Sequence, residues 1–339
     1  MLSIEEKVLL APLTTFRIGG PARFFVRVRN ADELRESFDF ARDKKLTVLV
    51  LGGGSNILVG DEGFDGLVIK IEIKGSEEQE GRLIAGHHTN TVGGVAGAGE
   101  GWDALVQYAI EKKLWGIENL SGIPGTVGAA PIQNIGAYGA ELKDTLQFVE
   151  VFDTSHNAVV RLSNNECGFA YRTSSFKKNP GRFVVMRVGL VLRRDGAPNL
   201  SYTDLKSLQN PTLSDIRQAV LAIRAKKFPD LTREGTAGSF FLNPIVSKEK
   251  AQELKKRFPD LPQFPAGQGM KISLAWLLDN VLHLKGTARG SARLYERQPL
   301  VIVAKGGARA HEVRELAEFV ASRVREELNI EIEPEVRIL

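Results

Sequence analysis

The chain has 339 residues, 43% of them hydrophobic and 25% charged, which excludes a disordered polypeptide and allows roughly two or three domains with sizeable cores. Its 45 basic and 41 acidic residues leave a net charge of +4, with the basic residues spread along the chain, a balance that favours a small anionic ligand over nucleic acid. One cysteine, Cys167, excludes an intramolecular disulfide and a multi-thiolate zinc site, and no apolar run reaches the length of a membrane span. The start, MLSIEEKVLL, has neither a basic region nor a cleavage pattern, so a reducing, cytoplasmic setting is expected.

In chain order, Phe24, Val26 and Val28 alternate with Arg27 and Arg29, as in a half-buried strand. Asn30 and Glu33 form a capping box for a helix from Ala31 to Lys44, with Leu34, Phe38 and Ala41 at helical spacing. Leu46 to Leu51 is an apolar strand that runs into Gly52, Gly53, Gly54, Ser55 and Asn56. This strand, helix, strand unit closes on a glycine turn, where nucleotides are often held. The turn lacks the spacing G-x-G-x-x-G, so a Rossmann fold is not supported. Leu67 to Ile73 and Arg82 to Ala85 read as strands. His87 and His88 have no third ligand nearby and no ligand spacing to His156, His283 or His311, so no metal site is expected. Trp102, Leu105, Val106, Ala109 and Ile110 mark an amphipathic helix ending near Gly116.

Ser121 to Glu141 then reads SGIPGTVGAAPIQNIGAYGAE, with five glycines, two prolines and no basic residue. Glycine loses too much backbone freedom and proline removes a donor, so the run is expected as a long buried loop and not as a helix or central strand. It is either a tight structural crossing or a cradle whose amides meet a cofactor; Gln133 and Asn134, which need partners if buried, favour the cradle. Phe148 to Phe152, Val159 to Leu162 and Phe183 to Leu192 are further strands. Composition shifts at Asn210-Pro211, where a domain boundary is expected, followed by a helix from about Ser214 to Lys227 with Ile216, Val220 and Ile223 on one face. Short helices dominate from Ser247, including Ser273 to Asn280. The last helix carries Val313, Leu316, Ala317, Val320, Val324 and Leu328 on one stripe, and a strand closes the chain at Glu335 to Leu339.

Several polar residues have two readings. Arg172, among the hydroxyls of YRTSS, suits forked pairing with a carboxylate or phosphate, or a surface ion pair. Ser239, between Gly238 and two phenylalanines, is a proton donor in a dry pocket or a cap. Glu335 in a terminal strand is most simply solvated. Lys227, at a helix end, satisfies the last carbonyls or meets a ligand. Cys167 is most simply a small buried hydrophobe.

Taken together, TTFRIGGPA, LGGGSNILV, IPGTVGAAPIQNIGAYG, YRTSSFK, GTAGSFFLNP and PEVRI resemble, in this order and over essentially the whole chain, the UDP-N-acetylenolpyruvoylglucosamine reductase (MurB) family, in the subfamily with a tyrosine-bearing loop. The resemblance implies an α+β fold. Residues 1–210 would be a vanillyl-alcohol-oxidase-type FAD-binding module with two α/β lobes, about 1–70 and 71–210. Residues 211–328 would be a smaller α+β substrate-binding domain, and 329–339 a C-terminal strand returning to the active site. It further implies a monomeric flavoenzyme of peptidoglycan precursor synthesis, with non-covalent FAD and with NADPH as hydride donor, that reduces the enolpyruvyl group of UDP-N-acetylglucosamine enolpyruvate to UDP-N-acetylmuramate. A related FAD-dependent oxidase or dehydrogenase using oxygen or another acceptor, and a binding protein that has kept the cofactor fold, are the alternatives.

The family's catalytic arginine, serine donor and glutamate fall on Arg172, Ser239 and Glu335. Its cofactor-binding positions fall on Gly52, Gly53, Gly54, Ser55, Asn56, Ser121, Gly122, Ile123, Pro124, Gly125, Gly128, Asn134 and Gly136. Its substrate-side residues fall on Tyr202, Lys227, Asn243 and Gln298. The chain departs from the subfamily at Thr203 and Ala275, where glycine is common, and at Val303-Ala304-Lys305, where a segment usually carries asparagine.

Overall fold

The structure, a computed structural model, describes residues 2–80 and 90–339; the expected strand Arg82 to Ala85 and His87 and His88 lie outside the described residues. The chain forms two compact units, each assembled from separate stretches. The first comprises Met1–Val8, Ala22–Gly54 and Asp65–Arg224, the second Leu9–Pro21, Ser55–Phe64 and Ala225–Leu339.

In the first unit a four-stranded sheet has the order Ile4–Leu9, Pro21–Val28, Phe64–Ile71, Thr47–Leu51. Its last pair is parallel, with Leu49 opposite Val68 and Val50 opposite Ile69. Parallel neighbours need a crossover of about a dozen residues, and here the crossover carries the glycine turn at Gly52. The helix Ala31–Asp43 stops one residue before the expected Lys44. Asn30 caps it as expected, its Oδ1 accepting from Glu33 N–H at 2.9 Å, but the Glu33 carboxylate reaches past the cap to Arg29 N–H at 2.7 Å. Leu34, Ser37 and Ala41 form its buried face, and Phe38 stacks on Phe152 with centroids 5.9 Å apart.

The second sheet of this unit is antiparallel, in the order Ala158–Ser163, Leu146–Asp153, Phe183–Arg193, Thr91–Gly97, Ser76–Glu80. Thr91–Gly97, TVGGVAG, is a strand the sequence pattern hides behind its glycines. Gly97 belongs there because a side chain would sit 2.4 Å from the Ile73 carbonyl. The helix Trp102–Glu111 buries Trp102, Val106 and Ala109, and the Trp102 indole N–H donates to the Leu120 carbonyl at 3.0 Å. Burying such large apolar groups contributes about 1.5–3 kcal/mol each.

In the second unit, Ala288–Arg289, Ala292–Tyr295 and Gln298–Ala304 form an antiparallel sheet. A smaller one has the order Ile245–Val246, Gly269–Ile272, Gln263–Ala266. The helix Ala310–Leu328 buries the expected stripe of Val313, Leu316, Ala317, Val320, Val324 and Leu328. Its start is capped from a distance: the Asp61 carboxylate accepts from the N–H groups of Ala310 at 2.8 Å and His311 at 3.2 Å. The TTFRIGG segment packs here, with Phe16 edge-on to Phe240 at 6.4 Å and Thr15 O accepting from Thr236 N–H at 3.0 Å. The closing strand is shorter than expected: Arg337–Ile338 pairs in parallel with Ile57–Leu58. Among the described residues no helix is long and apolar enough to cross a membrane, and no cluster of three or more His, Cys, Asp or Glu stands ready for a metal ion.

Candidate active site

Two glycine runs meet in the first unit. A Cβ added to Gly53 would lie 2.5 Å from Gly125 Cα, 3.0 Å from its carbonyl carbon and 3.1 Å from Thr126 N. One added to Gly52 would lie 2.8 Å from Thr126 Oγ1. The runs therefore cross backbone to backbone, a packing open only to glycine, and Gly125 takes the left-handed φ of +117°. Pro124 and Ile123 are half-buried beside it. The expected long loop is not irregular throughout: it holds a 3₁₀ turn over Val127–Gln133 containing Pro131, because i to i+3 bonds suit short runs that cannot sustain an α-helix.

Hydrogen bonds fix this crossing from behind. Gly125 O accepts from Trp102 N–H at 3.0 Å, and Gly128 N–H donates to Ala98 O at 2.9 Å. The Asp103 carboxylate takes Gly122 N–H at 2.6 Å and a fork from Arg217 at 2.7 and 2.8 Å. Burial works against ionisation of Asp103, but the hydrogen bonds from Arg217 and Gly122, with the charges of Arg217 and Arg224, outweigh it and hold the carboxyl below its ordinary range. Lys70 Nζ donates to the Gly52 carbonyl, and burial pushes its ammonium pKa down. Ser121 and Asn134 are buried and engaged by the protein itself. Ser121 Oγ donates to Glu118 O at 2.6 Å; Asn134 Nδ2 donates to Glu141 at 2.9 Å and its Oδ1 accepts from Lys143 N–H at 3.0 Å. The buried Thr126 hydroxyl, by contrast, has no hydrogen-bond partner among the described residues. Asp103, Lys70 and Thr126 were not singled out from the sequence; only Thr126, a hydroxyl inside the glycine run, carried a local signal.

Arg172 is braced on the same loop. Ala170 and Thr173 exchange backbone hydrogen bonds of 3.1 and 3.2 Å, leaving Arg172 at the tip with φ +52°. Its Nη2 donates to Gly136 O at 2.8 Å, and Ser174 Oγ ties the turn to Ile132 O at 2.6 Å. Gly136 lies close against its neighbours: an added Cβ would come 3.0 Å from Glu141 Cγ, 3.2 Å from Ala140 O and 3.3 Å from Arg172 Nη1. Tyr202 stands edge-on to Tyr138 at 5.1 Å, and the Tyr138 carbonyl is held by Asn119 Nδ2 at 2.7 Å.

The remaining expected residues belong to the second unit. The segment Gly235–Phe241 runs along the strand Gln298–Ala304, with Ser239 opposite Val301 and Phe240 N–H donating to Leu300 O at 2.7 Å. On its other side Phe240 O accepts from Glu335 N–H at 2.7 Å, so Ser239 and Glu335 come from neighbouring extended segments. Gln298 opens the strand on which Val301 lies. Asn243 Oδ1 accepts from Leu274 N–H at 2.9 Å, which fixes the orientation of its amide. Lys227 is the last residue of the helix Leu213–Lys227, half-buried. Asn56 Nδ2 donates to Glu335 O at 3.1 Å.

Residues 22–163 match the FAD binding domain family, and residues 230–339 match the UDP-N-acetylenolpyruvoylglucosamine reductase C-terminal domain. The UDP-N-acetylenolpyruvoylglucosamine reductase of Neisseria gonorrhoeae is 41% identical over 99% of this chain and 97% of its own length. The chain belongs to the UDP-N-acetylenolpyruvoylglucosamine reductase family. The family's Pseudomonas aeruginosa member is 39% identical over 98% of each chain. Among solved structures, that of the Thermus caldophilus enzyme (MurB) aligns with a TM-score of 0.69 and 30% identity over 100% of this chain and 99% of that one. The glycine crossing lies inside the FAD binding domain. A bare backbone crossing with an orphaned buried hydroxyl fits a cofactor that carries a diphosphate.

Proposed function

We propose that this chain reduces the enolpyruvyl group of UDP-N-acetylglucosamine enolpyruvate to UDP-N-acetylmuramate with NADPH as reductant and FAD as cofactor. We assign it to peptidoglycan precursor synthesis, as a cytoplasmic monomer. The observation that carries the reading is the bracing of Arg172 on Gly136, which fixes an anion-gripping fork on the loop that closes over Gly53. FAD would be held by Gly52, Gly53, Gly54, Gly125, Thr126 and Gly128 and, when bound, supplies a hydride to the terminal methylene carbon of the substrate. In this reading FAD belongs to residues 1–210 and the sugar nucleotide to 211–328, with 329–339 contributing Glu335.

The residues then divide the remaining work. Arg172 pairs with the substrate carboxylate and stabilises the negative charge that develops beside it, an effect on the order of a few kcal/mol in a water-poor site. The Ser239 hydroxyl gives a proton to the carbon next to that carboxylate. Glu335 acts protonated or by ordering its neighbours, because a bare carboxylate would repel the developing enolate. Tyr202 covers the substrate, while Lys227, Gln298 and the Nδ2 of Asn243 hold its polar groups. The test is anaerobic reduction of the flavin by NADPH followed by mixing with the enolpyruvyl sugar nucleotide or with oxygen. Fast reoxidation by the sugar nucleotide and slow reoxidation by oxygen is expected; the reverse order would mean a flavin oxidase, and a colourless protein without FAD would mean a binding protein.

A further inference from the structure

We propose that Asn56 is a positioning residue for Glu335; the inference rests on the reading of Glu335 as a group of the reaction. Asn56 ends the glycine turn and was grouped by resemblance with the cofactor-binding residues, yet two of its hydrogen bonds run to the segment Glu335–Arg337. Its Nδ2 donates to Glu335 O at 3.1 Å, and its own carbonyl accepts from Arg337 N–H at 3.1 Å. The pairing continues in register, with Ile57 opposite Arg337 and Leu339 N–H donating to Leu58 O at 3.0 Å. On the other side, Glu335 N–H is taken by Phe240 O at 2.7 Å, within the segment that carries Ser239.

Both peptide planes flanking the Glu335 Cα are therefore fixed, one by the backbone next to Ser239 and one by a side chain. Only the side-chain restraint can be removed by substitution. Val336, the next residue, is buried and anchors the segment on the other side of this peptide. The chemistry of the contact demands a neutral donor: a carbonyl oxygen accepts, asparagine donates, and an ionised carboxylate in its place would repel it. A shift of about 1 Å in a reacting group costs roughly a hundredfold in rate. The placement of the Glu335 carboxyl, and not the affinity for cofactor, is what Asn56 controls.

The experiment uses the FAD-loaded full chain and compares wild type, Asn56→Ala, Asn56→Asp, Glu335→Gln and the double variant Asn56→Ala/Glu335→Gln, following FAD content and both half-reactions. Asn56→Ala is expected to keep its FAD and its reduction by NADPH but to lose roughly tenfold to a hundredfold in reoxidation by the enolpyruvyl substrate. The double variant is expected to be no slower than Glu335→Gln. In Asn56→Asp the new carboxyl donates only while protonated, so reoxidation should recover towards acid pH relative to Asn56→Ala. Loss of FAD or of both half-reactions, unchanged reoxidation, or additive losses in the double variant would each overturn the positioning role. If Glu335→Gln alone leaves reoxidation intact, the reading of Glu335 falls and this inference with it.

Discussion

A left-handed backbone at a residue other than glycine costs about 1–3 kcal/mol, and Arg172 carries one at φ +52°. The reciprocal bonds of Ala170 and Thr173 offset it, together with Lys177 Nζ donating to the Arg172 carbonyl at 3.1 Å. The strain aims the guanidinium at Gly136. Arg172→Lys keeps the charge and loses the fork, so reoxidation by the enolpyruvyl substrate should fall about a hundredfold while reduction by NADPH stays near normal in stopped-flow traces. Ser239→Ala should show the same split, and equal loss of both half-reactions would remove its role as donor. Cys167 is a third residue with a definite expectation. Burial, aided by the charge of Glu166, pushes its thiol up to about 12, so iodoacetamide should leave it unmodified in the native protein and alkylate it on unfolding, as read by mass spectrometry. At this scale the sequence shows which residue types are present but not how they are held. YRTSS announces an arginine among hydroxyls, whereas its bracing depends on a backbone angle, and GGGSN does not reveal that its asparagine pairs with Glu335.

The helices and their caps are the most legible elements, because they are set by contacts a few residues apart. Asn30 caps where its spacing to Glu33 says it should, and the expected helix from about Ser214 is Leu213–Lys227. Glycine-rich stretches are legible only as unusual: one became the strand Thr91–Gly97 and another a 3₁₀ turn, since what selects glycine is a neighbour distant in sequence. Two substitutions separate these cases. Gly53→Ala drives a methyl into the backbone of Gly125 and should destabilise by about 1–3 kcal/mol in urea and lose FAD affinity. Gly94→Ala meets nothing within 4 Å in its strand and should be neutral or stabilise by about 0.4–1 kcal/mol. Asp103 adds a pH dependence. Its folded pKa lies below the ordinary 3.8, so its stabilisation is present above that value and disappears as pH falls through the folded pKa. Asp103→Asn should therefore cost about 1 kcal/mol at neutral pH, a figure reduced by its partial exposure, and close to nothing in strong acid, measured by urea titration at both.

At the scale of the whole molecule, neither unit is a continuous stretch, and no shift in composition marks the points where residues 9–21 and 55–64 leave one for the other. Hydrophobic periodicity reports which face of an element is buried, never which core receives it. If FAD binds the glycine crossing, free cofactor at about a hundred times its Kd should stabilise the first unit by about 2.7 kcal/mol, or roughly 5–10 °C in Tm. Hydrogen exchange should then slow first in strands such as Leu146–Asp153, and slowing confined to the second unit would contradict this placement. The scattered origin of the second unit also sets a timetable for the newborn chain. Ile57–Leu58 cannot pair until Arg337–Ile338 has been made, an interval on the order of tens of seconds at about 5–20 residues per second. The first unit has all its segments once Arg224 has emerged from the ribosome, whereas the second holds unpaired strand edges until Arg337 and Ile338 have been made. A ribosome stalled shortly before them would therefore present a first unit with its sequence complete, joined to a second one unable to close.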